Sequence, residues 1–462
     1  MDLDLLVIGS GPGGQKAAIQ AAKLGKRVGI VERRRLGGNS IHTGTIPSKT
    51  LKEAVLDELA RRPLDSPDPL RPERHERAAL EALMDRTARV VGAEAAVVRE
   101  QLRRNRVGLL SGEGSFVDEH TVLVRGEDDE RSYSAERIVI AVGTCPARPP
   151  DVDFDDRTII DSDGLLHLEQ TVPRTMIVVG GGIIGIEYAS MFGALGTKVT
   201  VVDQRARVLP FLDAEIGEAM QYILRRNNVT FRLSEKVASV VRHDNHAVAE
   251  LESGKSVTSD TVLYATGRQG DTASLGLKEV GLKTDKRGRV AIDDCFRTEV
   301  AHIYAVGDVA GPPGLAATAM EQGRVAALHA FDQPVQTLPS LIPTGIYAIP
   351  EVSMVGRTEE DLTESAVPYV VGVARWGELA RGLMSGDEDG MLKLLVSTED
   401  RKLLGVHVLG TGATDLVHIG QAVMGGGSTT DFLLSAVFNY PTFAESYKVA
   451  ALDAVNRLTS GQ

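Results

Sequence analysis

The sequence contains 462 residues, of which 43% are apolar and only 4% aromatic, and its formal net charge is −12 at pH 7. This length predicts about three domains of ordinary size. The acidic balance disfavours a phosphate backbone as the main partner, and the scarcity of aromatic side chains leaves few surfaces on which single-stranded bases could stack. No apolar run approaches the roughly 20 residues that cross a bilayer. We therefore expect a globular protein with neither a nucleic-acid nor a membrane partner.

The chain opens with a strand, a glycine-rich turn and a helix in the spacing of a dinucleotide-binding unit. The apolar strand Leu5–Ile8 leads into the sequence GSGPGG, Gly25 marks the expected helix end, and Glu32 closes a second strand. The first glycine permits a tight turn, the second lets the backbone approach a pyrophosphate, and the third packs helix against strand. The closing acid can accept hydrogen bonds from a ribose diol. We therefore expect this unit to bind a dinucleotide through Gly9, Gly11, Gly14 and Glu32.

A stretch rich in glycine and hydroxyl side chains follows over residues 37–49, and we expect a helix over 50–59. The segment Arg61–Arg77 is dense in proline and charge without an apolar period, so it is predicted to be an exposed excursion before an alanine-rich helix over 78–102. Further strands are predicted over 108–112, 121–124 and 137–142. The prolines at 146, 149 and 150 then indicate a boundary.

The same unit returns 171 residues later. The strand Ile177–Val179 leads into a second glycine-rich turn, Gly25 falls on Gly196, and Glu32 falls on Asp203. One such glycine motif is a weak signal because glycine-rich turns are common, whereas two complete fingerprints in one register are specific. We therefore expect the chain to bind two dinucleotides, the second through Gly180, Gly182, Gly185 and Asp203.

The remaining sequence contains two strands that end at glycine. One covers residues 262–266 and runs into Gly267, and the other covers 303–306 and runs into Gly307 and Asp308, before a helix expected over 315–330. A strand that ends in Gly-Asp suits a polar chain beside a carboxylate. The final region, from residue 340, lacks a nucleotide fingerprint. It is predicted to form strands over 390–396 and 403–409 and helices over 413–424 and 444–458.

Neither cysteine and no histidine has the spacing of a metal or disulfide site. Cys145 and Cys295 are not paired in sequence, and we expect them in or near the core of a protein from a reducing cytoplasm. The chain enters its first strand almost at once, which leaves no room for a signal peptide. The isolated histidines are expected to serve packing or surface roles, without a metal: His42, His407 and His418.

Taken in order, these segments resemble the flavin-dependent pyridine nucleotide-disulfide oxidoreductases, the family of glutathione reductase and dihydrolipoamide dehydrogenase. The resemblance covers nearly the whole chain and implies an α/β fold with two Rossmann-like dinucleotide-binding domains, plus a C-terminal α+β dimerisation domain that forms a homodimer. The implied bounds are 1–148 with 268–336 for a discontinuous FAD domain, 149–267 for the NAD(P) domain and 337–462 for the dimerisation domain.

The resemblance also implies which residues bind each cofactor. For FAD they are Gly9, Gly11, Gly14, Glu32, Arg33, Gly38, Ser40, Thr45, Lys49, Gly114, Gly143, Gly307, Asp308 and Ala316. For NAD(H) and NADP(H) they are Gly180, Gly182, Gly185, Glu187, Asp203, Arg205, Gly267 and Arg268. Tyr440 and Glu445 are implied to reach the flavin site of the second subunit.

Two departures from the family pattern concern the same half-reaction. Where the disulfide reductases have two redox cysteines, this chain has Ser40 and Thr45, and a hydroxyl cannot cycle between thiol and disulfide. Where their C-terminal motif has an acid/base histidine, this chain has Tyr440, and a phenol with a pKa of about 10 is a poor proton shuttle at neutral pH. The thiol relay is therefore expected to be absent.

The segments 44–49 and 438–442 closely resemble the soluble, Si-specific NAD(P)+ transhydrogenases, a subfamily that usually has a cysteine where this chain has Ser40. This resemblance implies a ping-pong hydride exchange between NADPH and NAD+ through the flavin. Lys49 matches the family lysine beside flavin N5, and Glu187 matches the glutamate that pairs with it and contacts the nicotinamide. Both are implied to be catalytic.

The expected nucleotide preference is mixed. Asp203 favours an unphosphorylated ribose, whereas Arg205 and Arg207 lie close enough in sequence to meet a 2′-phosphate. Two other functions stay open at this point: an NAD(P)H diaphorase or quinone reductase, and a non-catalytic flavoprotein that binds dinucleotides. The retained Lys49 and Glu187 weigh against the last of these.

Overall fold

The computed structural model describes residues 1–61, 76–167 and 172–460. The excursion predicted for residues 61–77 therefore lies, apart from its first residue and its last two, outside the described residues. None of the described helices is both long and apolar enough to span a membrane.

The N-terminal region, up to residue 148, alternates strands and helices before an antiparallel excursion. Its elements are β1 (Leu3–Ile8), α1 (Pro12–Lys23), β2 (Val28–Glu32), α2 (Gly38–His42), α3 (Thr45–Arg61), α4 (Glu76–Arg104), β3 (Gly108–Ser111), β4 (Glu113–Asp118), β5 (Thr121–Arg125), β6 (Glu130–Ile140) and β7 (Thr144–Pro146).

The second region repeats the strand–helix–strand pattern and adds a small antiparallel sheet. Its elements are β8 (Ile159–Asp161), a 3₁₀ turn (Gly164–His167), β9 (Thr175–Val179), α5 (Ile183–Leu195), β10 (Lys198–Asp203), α6 (Ala214–Arg226), β11 (Val229–Leu233), β12 (Val237–Arg242), β13 (Ala247–Leu251), β14 (Ser256–Ser259) and β15 (Thr261–Tyr264). The chain continues through β16 (Arg268–Gly270), a 3₁₀ turn (Leu277–Val280), β17 (Ile303–Ala305), a 3₁₀ turn (Gly307–Ala310) and α7 (Ala316–Ala330).

The C-terminal region is a mixed α and β structure. Its elements are β18 (Thr344–Ile346), β19 (Val352–Gly356), α8 (Glu359–Glu364), β20 (Tyr369–Arg375), a 3₁₀ turn (Trp376–Glu378), α9 (Ala380–Ser385), β21 (Met391–Ser397), β22 (Leu403–Leu409), α10 (Ala413–Gly425), α11 (Thr430–Ser435), a 3₁₀ turn (Phe443–Glu445) and α12 (Ser446–Ser460).

Within the described ranges, the first sheet has seven strands in the order β3-β2-β1-β6-β5-β4, with β17 paired to β6. Strand β6 is long enough to serve two ladders: its C-terminal half pairs in parallel with β1, and its N-terminal half pairs antiparallel with β5. Strand β17 joins β6 in parallel, so the chain returns to the first sheet after completing the second unit. The side chains of β1 from Leu5 onward are buried, as expected for a parallel strand covered on both faces.

The second sheet is parallel and has the order β11-β10-β9-β15-β8, flanked by the antiparallel ribbon β12-β13-β14. Strands β7 and β16 pair antiparallel where the chain passes between the two regions. The C-terminal sheet is antiparallel in the order β18-β19-β22-β21-β20, and α10 and α12 pack on its strands β22 and β20.

One apolar cluster joins all three regions. It includes Leu51 and Val55 of α3, Ile186 and Phe192 of α5, and Val352 of β19. These helices and strands therefore share buried surface, and their relative positions are fixed by packing of apolar side chains. The candidate site lies beside this junction.

One boundary prediction was wrong in a way that bears on the site. The helix expected to start at residue 50 begins at Thr45, and a short helix precedes it at Gly38–His42. The Ser48 hydroxyl donates to the carbonyl of Gly44 at 2.8 Å, and Pro47 falls in the first turn, where its missing N–H would have had no helical partner. Lys49 therefore projects from a helix rather than from a loop.

Candidate active site

At the first and third glycines of each glycine-rich turn there is room for nothing larger than a hydrogen atom. Gly9 has φ +104°, and a Cβ there would lie 2.4 Å from a backbone oxygen of the neighbouring strand; Gly180 has φ +108° and a corresponding distance of 2.5 Å. A Cβ at Gly14 or at Gly185 would lie 2.0 Å from the carbonyl oxygen of the first glycine of its own turn. The sequence fingerprint thus reflects real steric limits, and each turn forms an open cradle at a helix N-terminus, the arrangement that binds a pyrophosphate.

In each unit, the carboxylate at the end of the second strand accepts a hydrogen bond from the glycine-rich turn of that unit. Glu32 Oε2 accepts a hydrogen bond from the Ser10 N–H at 3.1 Å, and Asp203 Oδ2 accepts one from the Gly181 N–H at 2.6 Å. The two hydrogen bonds are related by the same shift of 171 residues as the glycines. The duplication therefore extends to the contact that fixes each carboxylate beside its cradle.

A cavity of about 1170 Å³ is lined by residues of all three regions. Its volume exceeds the roughly 300–1,000 Å³ of an ordinary small-molecule site, as a site for more than one ligand requires. The residues predicted to bind FAD that line it are Gly9, Gly11, Glu32, Arg33, Gly38, Ser40, Thr45, Lys49, Gly114, Gly143, Gly307, Asp308 and Ala316. From the predicted NAD(P) set, those that line it are Gly182, Glu187, Gly267 and Arg268.

Several predicted residues lie elsewhere. Gly14 is buried behind the first turn. Four residues of the second unit also lie outside the cavity: Gly180, Gly185, Asp203 and Arg205. Tyr440 and Glu445 do not line the cavity of their own chain.

Lys49 and Glu187 meet in the cavity wall, where α3 packs against α5. The Lys49 Nζ lies 2.8 Å from Oε1 and 2.7 Å from Oε2 of Glu187. The Glu187 side chain is only 4% exposed, whereas that of Lys49 is 25% exposed. A buried carboxylate is costly unless it is paired and hydrogen-bonded, so this pair holds both side chains in place and leaves the ammonium facing the cavity.

Tyr347, which the sequence analysis did not select, completes this pair from the C-terminal region. Its backbone N–H donates to Glu187 Oε1 at 2.9 Å, and its ring centroid lies 4.8 Å from Lys49 Nζ. Burial, and then the charge of Glu351, raises the pKa of its hydroxyl, which therefore stays neutral at physiological pH. Tyr347 is 160 residues from Glu187 in the chain. No local pattern could have associated the two.

A second contact from the C-terminal region holds α3 in place. Lys52, on the same helix as Lys49, is nearly buried and forms an ion pair with Glu351. Glu351 in turn accepts hydrogen bonds from the N–H and the hydroxyl of Thr414, at 3.1 and 2.9 Å. The helix that presents Lys49 is therefore anchored by both a buried ion pair and the apolar junction.

Two predicted cofactor residues already have partners within the protein. The guanidinium of Arg268 donates to Asp163 at 2.8 Å and to the carbonyl of Thr144 at 2.9 Å. Arg33 forms ion pairs with Glu113, at 3.3 Å, and with Asp271. Both arginines line the cavity through side chains that are held in fixed orientations.

Ser40 and Thr45 lie on α2 and at the first residue of α3, and both line the cavity. The two cysteines, Cys145 and Cys295, are free and partly buried. Among the residues that the structure describes, no cysteine lines the cavity. The chain therefore offers hydroxyl groups, and no thiol, on this wall.

The three histidines considered from the sequence, His42, His407 and His418, each contact a different group. His407 is buried with Nε2 at 3.0 Å from the carbonyl of Arg357, and burial lowers its pKa, so it is neutral. His42 and His418 line the cavity and make hydrogen bonds of 2.9 and 2.8 Å to Leu36 and Gln421.

In the described part of the chain, one group of acids is close enough to share a metal ion: Asp213, Glu215 and Glu359. The ammonium of Lys393 already occupies the centre of this group. Its Nζ lies 2.8 Å from Asp213 and 3.0 Å from Glu215 and also contacts Glu359. Because one cation already neutralises part of this charge, the group is an ion-pair cluster between α6 and the C-terminal sheet.

Comparison with known proteins identifies the family. Residues 3–323 match the family described as pyridine nucleotide-disulphide oxidoreductase, and residues 342–451 match its dimerisation domain. The chain belongs to the pyridine nucleotide-disulphide oxidoreductase family. The predicted family and fold class are thus confirmed.

Two curated relatives that match over nearly their full length carry the same name. The chain is 56% identical to the soluble pyridine nucleotide transhydrogenase of Mycobacterium bovis (strain BCG / Pasteur 1173P2), over 99% of this chain and 98% of the relative. It is 43% identical to the protein of that name from Marinobacter nauticus, over 98% of each. Among solved structures, it superposes on the HOCl-induced flavoprotein disulfide reductase RclA from Escherichia coli with a TM-score of 0.87 and 26% identity, over 97% of this chain and 99% of that chain. It superposes on LpdA from Mycobacterium tuberculosis with a TM-score of 0.88 and 25% identity, over the same shares.

Proposed function

We propose that this chain is an FAD-dependent pyridine nucleotide transhydrogenase, which exchanges a hydride between NADPH and NAD+, or NADH and NADP+, without a thiol relay. The observation that carries the proposal is the composition of one cavity wall. There the Lys49–Glu187 pair is complete, whereas Ser40 and Thr45 stand where the disulfide reductases of the family have their redox cysteines. The full-length likeness to proteins named soluble pyridine nucleotide transhydrogenase supports the same conclusion.

The first cradle fits FAD. The turn at Gly9 would be filled by any Cβ, and Gly11, the N-cap residue of helix α1, provides no side-chain cap, which leaves the N–H groups of the first helical turn open to a phosphate. Gly9 and Gly11 would hold the pyrophosphate, with Gly14 packing helix against strand behind them, while Glu32 would bind the adenosine ribose and Asp308 the ribityl chain. When bound, FAD supplies the ring that accepts and returns a hydride, a chemistry that no side chain of the protein offers.

The protein contributes position and charge. Lys49 keeps a positive charge at the cavity wall, where it stabilises negative charge that develops during hydride transfer. Glu187 and Tyr347 hold that ammonium in one orientation, which spares the reorganisation that water would require. The second cradle would bind either nicotinamide nucleotide in turn, because the two halves of the exchange use the same binding unit.

We also propose a homodimer, formed through the dimerisation domain. Exposed apolar side chains support this assembly: Val437 is 95% exposed, and Tyr440, Met384, Leu383 and Phe432 are also largely exposed. The Oε2 atom of Glu445 is buried without a hydrogen-bond partner, which supports a role for Glu445 and Tyr440 at the flavin site of the second subunit. The domain bounds given above remain a proposal, which the return of β17 to the first sheet supports. A cytoplasmic location fits the two free cysteines.

The test is to supply the purified flavoprotein with NADPH and one of several acceptors. We expect rapid reduction of thio-NAD+, and only background turnover of oxidised glutathione, because the cavity wall offers no thiol. Fast turnover with quinone alone would identify a diaphorase instead. If NADPH does not bleach the flavin, the protein is the non-catalytic dinucleotide-binding form. Rapid reduction of glutathione would contradict the proposal outright.

The contact between Tyr347 and Lys49 gives a second, smaller prediction. We expect Tyr347→Leu to slow flavin reduction by NADPH about two- to fivefold, since a partly exposed cation–π contact is worth about 0.5–1 kcal/mol. The backbone hydrogen bond to Glu187 survives this change. Tyr347→Phe keeps the ring and serves as the control, with stopped-flow absorbance as the measurement. Equal rates in Tyr347→Leu and wild type would exclude a role for the ring.

A further inference from the structure

The carboxylate of Asp203 is fully occupied. Its Oδ2 accepts hydrogen bonds from the Gly181 N–H and from Arg205 Nη2, both at 2.6 Å. Its Oδ1 accepts from the backbone N–H and the Nε of Arg205, at 2.8 and 2.9 Å. An ionised carboxylate offers about four lone-pair positions. Among the described residues, these four hydrogen bonds therefore leave Asp203 without room for a ribose diol.

The first unit provides an internal control for this arrangement. Arg34 corresponds to Arg205 by the shift of 171 residues, and its backbone N–H donates to Glu32 at 2.9 Å, just as that of Arg205 donates to Asp203. Within the described part of the chain, however, no guanidinium donates to Glu32, which accepts from the backbone and from the Ser10 hydroxyl. The blocked acid is thus a feature of the second unit and does not follow from the shared fold.

Two of the four hydrogen bonds on Asp203 are exchangeable. The two backbone N–H groups are part of the turn, whereas the guanidinium of Arg205 lies on a side chain that is 43% exposed. A guanidinium has five N–H donors, and two of those of Arg205 point at Asp203. The other three remain for an anion on its outer edge.

We propose that Arg205 is a two-position selector of the nicotinamide nucleotide. In the position seen here it remains on Asp203 and presents its outer edge to the 2′-phosphate of NADP(H). For NAD(H) it swings away and frees two positions on Asp203 for the ribose diol. The inference rests on the proposed function, because an enzyme that exchanges hydride between the two nucleotides must accept both at one site.

The electrostatics favour this exchange. A 2′-phosphate beside an ionised Asp203 would be repelled unless a cation lay between them, and Arg205 is that cation in the closed position. Burial raises the pKa of Asp203, but the hydrogen bonds from Arg205 and the backbone outweigh it and the pKa is lowered overall. The backbone N–H groups of Gly181 and Arg205 stay in place when the guanidinium withdraws, so two of the hydrogen bonds that favour the ionised carboxylate are retained.

The selector predicts effects of opposite sign on the two nucleotides. Removing Arg205 takes away charged hydrogen bonds to the phosphate, so NADP+ should bind about tenfold or more weakly to Arg205→Ala. It also removes the competitor on Asp203. A site that is blocked for part of the time loses affinity in that proportion, and solvent weakens an ion pair whose cation is 43% exposed. NAD+ should therefore bind about two- to sixfold more tightly once Arg205 no longer competes.

The experiment is calorimetric titration of the oxidised holoprotein with NADP+ and with NAD+, for wild type and variants. Arg205→Met, an uncharged side chain of similar length, should show both effects and protects the result against a defect specific to alanine. Arg207→Ala is the matched control: Arg207 pairs with Glu360 at 3.3 Å, so its removal deletes a cation from the same loop without freeing Asp203, and should not tighten NAD+. Weaker or unchanged NAD+ binding in both Arg205 variants would overturn the proposal.

The outcome is separable from that of the proposed function. Binding is measured without turnover, so a wild-type protein that fails to reduce thio-NAD+ yet shows the opposite shifts would refute the transhydrogenase activity and leave the selector standing. A protein that exchanges hydride but shows shifts of the same sign for both nucleotides in the Arg205 variants would refute the selector and leave the transhydrogenase activity standing.

Discussion

Replacing Lys49 with methionine should leave FAD bound and yet slow the reduction of the flavin by NADPH about 100-fold, the usual cost of removing one preorganised charge or donor from a reacting centre. Lys49 lies at the cavity wall with its ammonium on both oxygens of Glu187. Methionine keeps the length of the chain without its charge. The measurement is single-turnover stopped-flow absorbance of the flavin, with the bound flavin content checked from the visible spectrum.

A matched double variant separates the effect of the lost positive charge from the effect of a displaced Glu187 carboxylate. In Lys49→Met alone, the nearly buried Glu187 is left without its cation, and a misplaced carboxylate could itself slow the reaction. In Lys49→Met with Glu187→Gln, no charge is left uncompensated. If the positive charge acts on the reaction, the double variant is as slow as the single one. Recovery of the rate in the double variant, or an undiminished rate in Lys49→Met, would remove Lys49 from the mechanism.

The second large effect concerns stability. Lys393 is fully buried among three carboxylates, two of them on the nucleotide-binding side, at Asp213 and Glu215. We expect Lys393→Met to destabilise the protein by about 3–5 kcal/mol, because it leaves the carboxylate of Asp213, which is only 1% exposed, without its cation. Trp376, the single tryptophan of the chain, is buried in the same region and stacks on Phe443 at 4.1 Å. Its fluorescence during urea denaturation reports the loss directly.

Lys402→Met is the control for this experiment. Lys402 also pairs with an acid, Asp400, at 2.7 Å, but its side chain is 53% exposed. An exposed pair is worth about 0–1 kcal/mol, so the urea midpoint should hardly change. If Lys393→Met shifted the midpoint no more than Lys402→Met does, the cluster would contribute nothing beyond an ordinary surface pair.

The pH dependence of the same cluster follows from the direction of its pKa shifts. Burial raises the pKa of Asp213, but the hydrogen bond from Lys393 and the neighbouring charges outweigh burial, so the folded pKa lies below the unfolded value of 3.8. The stabilising contribution of the Asp213 carboxylate is complete above the unfolded pKa of 3.8 and is lost as the pH falls through the folded pKa. The pKa of Lys393 is raised above 10.5, despite its burial, by its carboxylate partners, so its contribution is lost only in strong base. In Lys393→Met the burial of Asp213 is no longer offset by Lys393, so Asp213 takes up a proton at a higher pH than in wild type. The difference in stability between wild type and variant should therefore be largest near neutral pH and shrink as the pH falls.

Much of the fold and of the chemistry could be predicted from short sequence patterns. The steric requirement at the third glycine of each turn involves the first glycine, five positions earlier, as at Gly185 and Gly180, so it leaves a local fingerprint. The replacement of thiols by the hydroxyls of Ser40 and Thr45 could also be predicted, because the family resemblance gives the positions of the redox cysteines. The start of α3 was placed too late because glycine and hydroxyl residues favour turns, and only the packed helix shows that Thr45 begins it.

The sequence by itself determined that the chain carries two dinucleotide cradles, because these depend on residue types at fixed local spacing. Through the resemblance to the family it also determined that Ser40 and Thr45 stand where the disulfide reductases have cysteines. The tertiary structure alone decided which side chains meet: Tyr347 reaches Glu187 across 160 residues, and Lys393 reaches Asp213 across 180. It also decided that Asp203 and Arg205, which the sequence presents as opposing preferences for the ribose, form a closed ion pair. Side-chain direction and burial set such contacts, and neither is encoded in the spacing of residues along the chain.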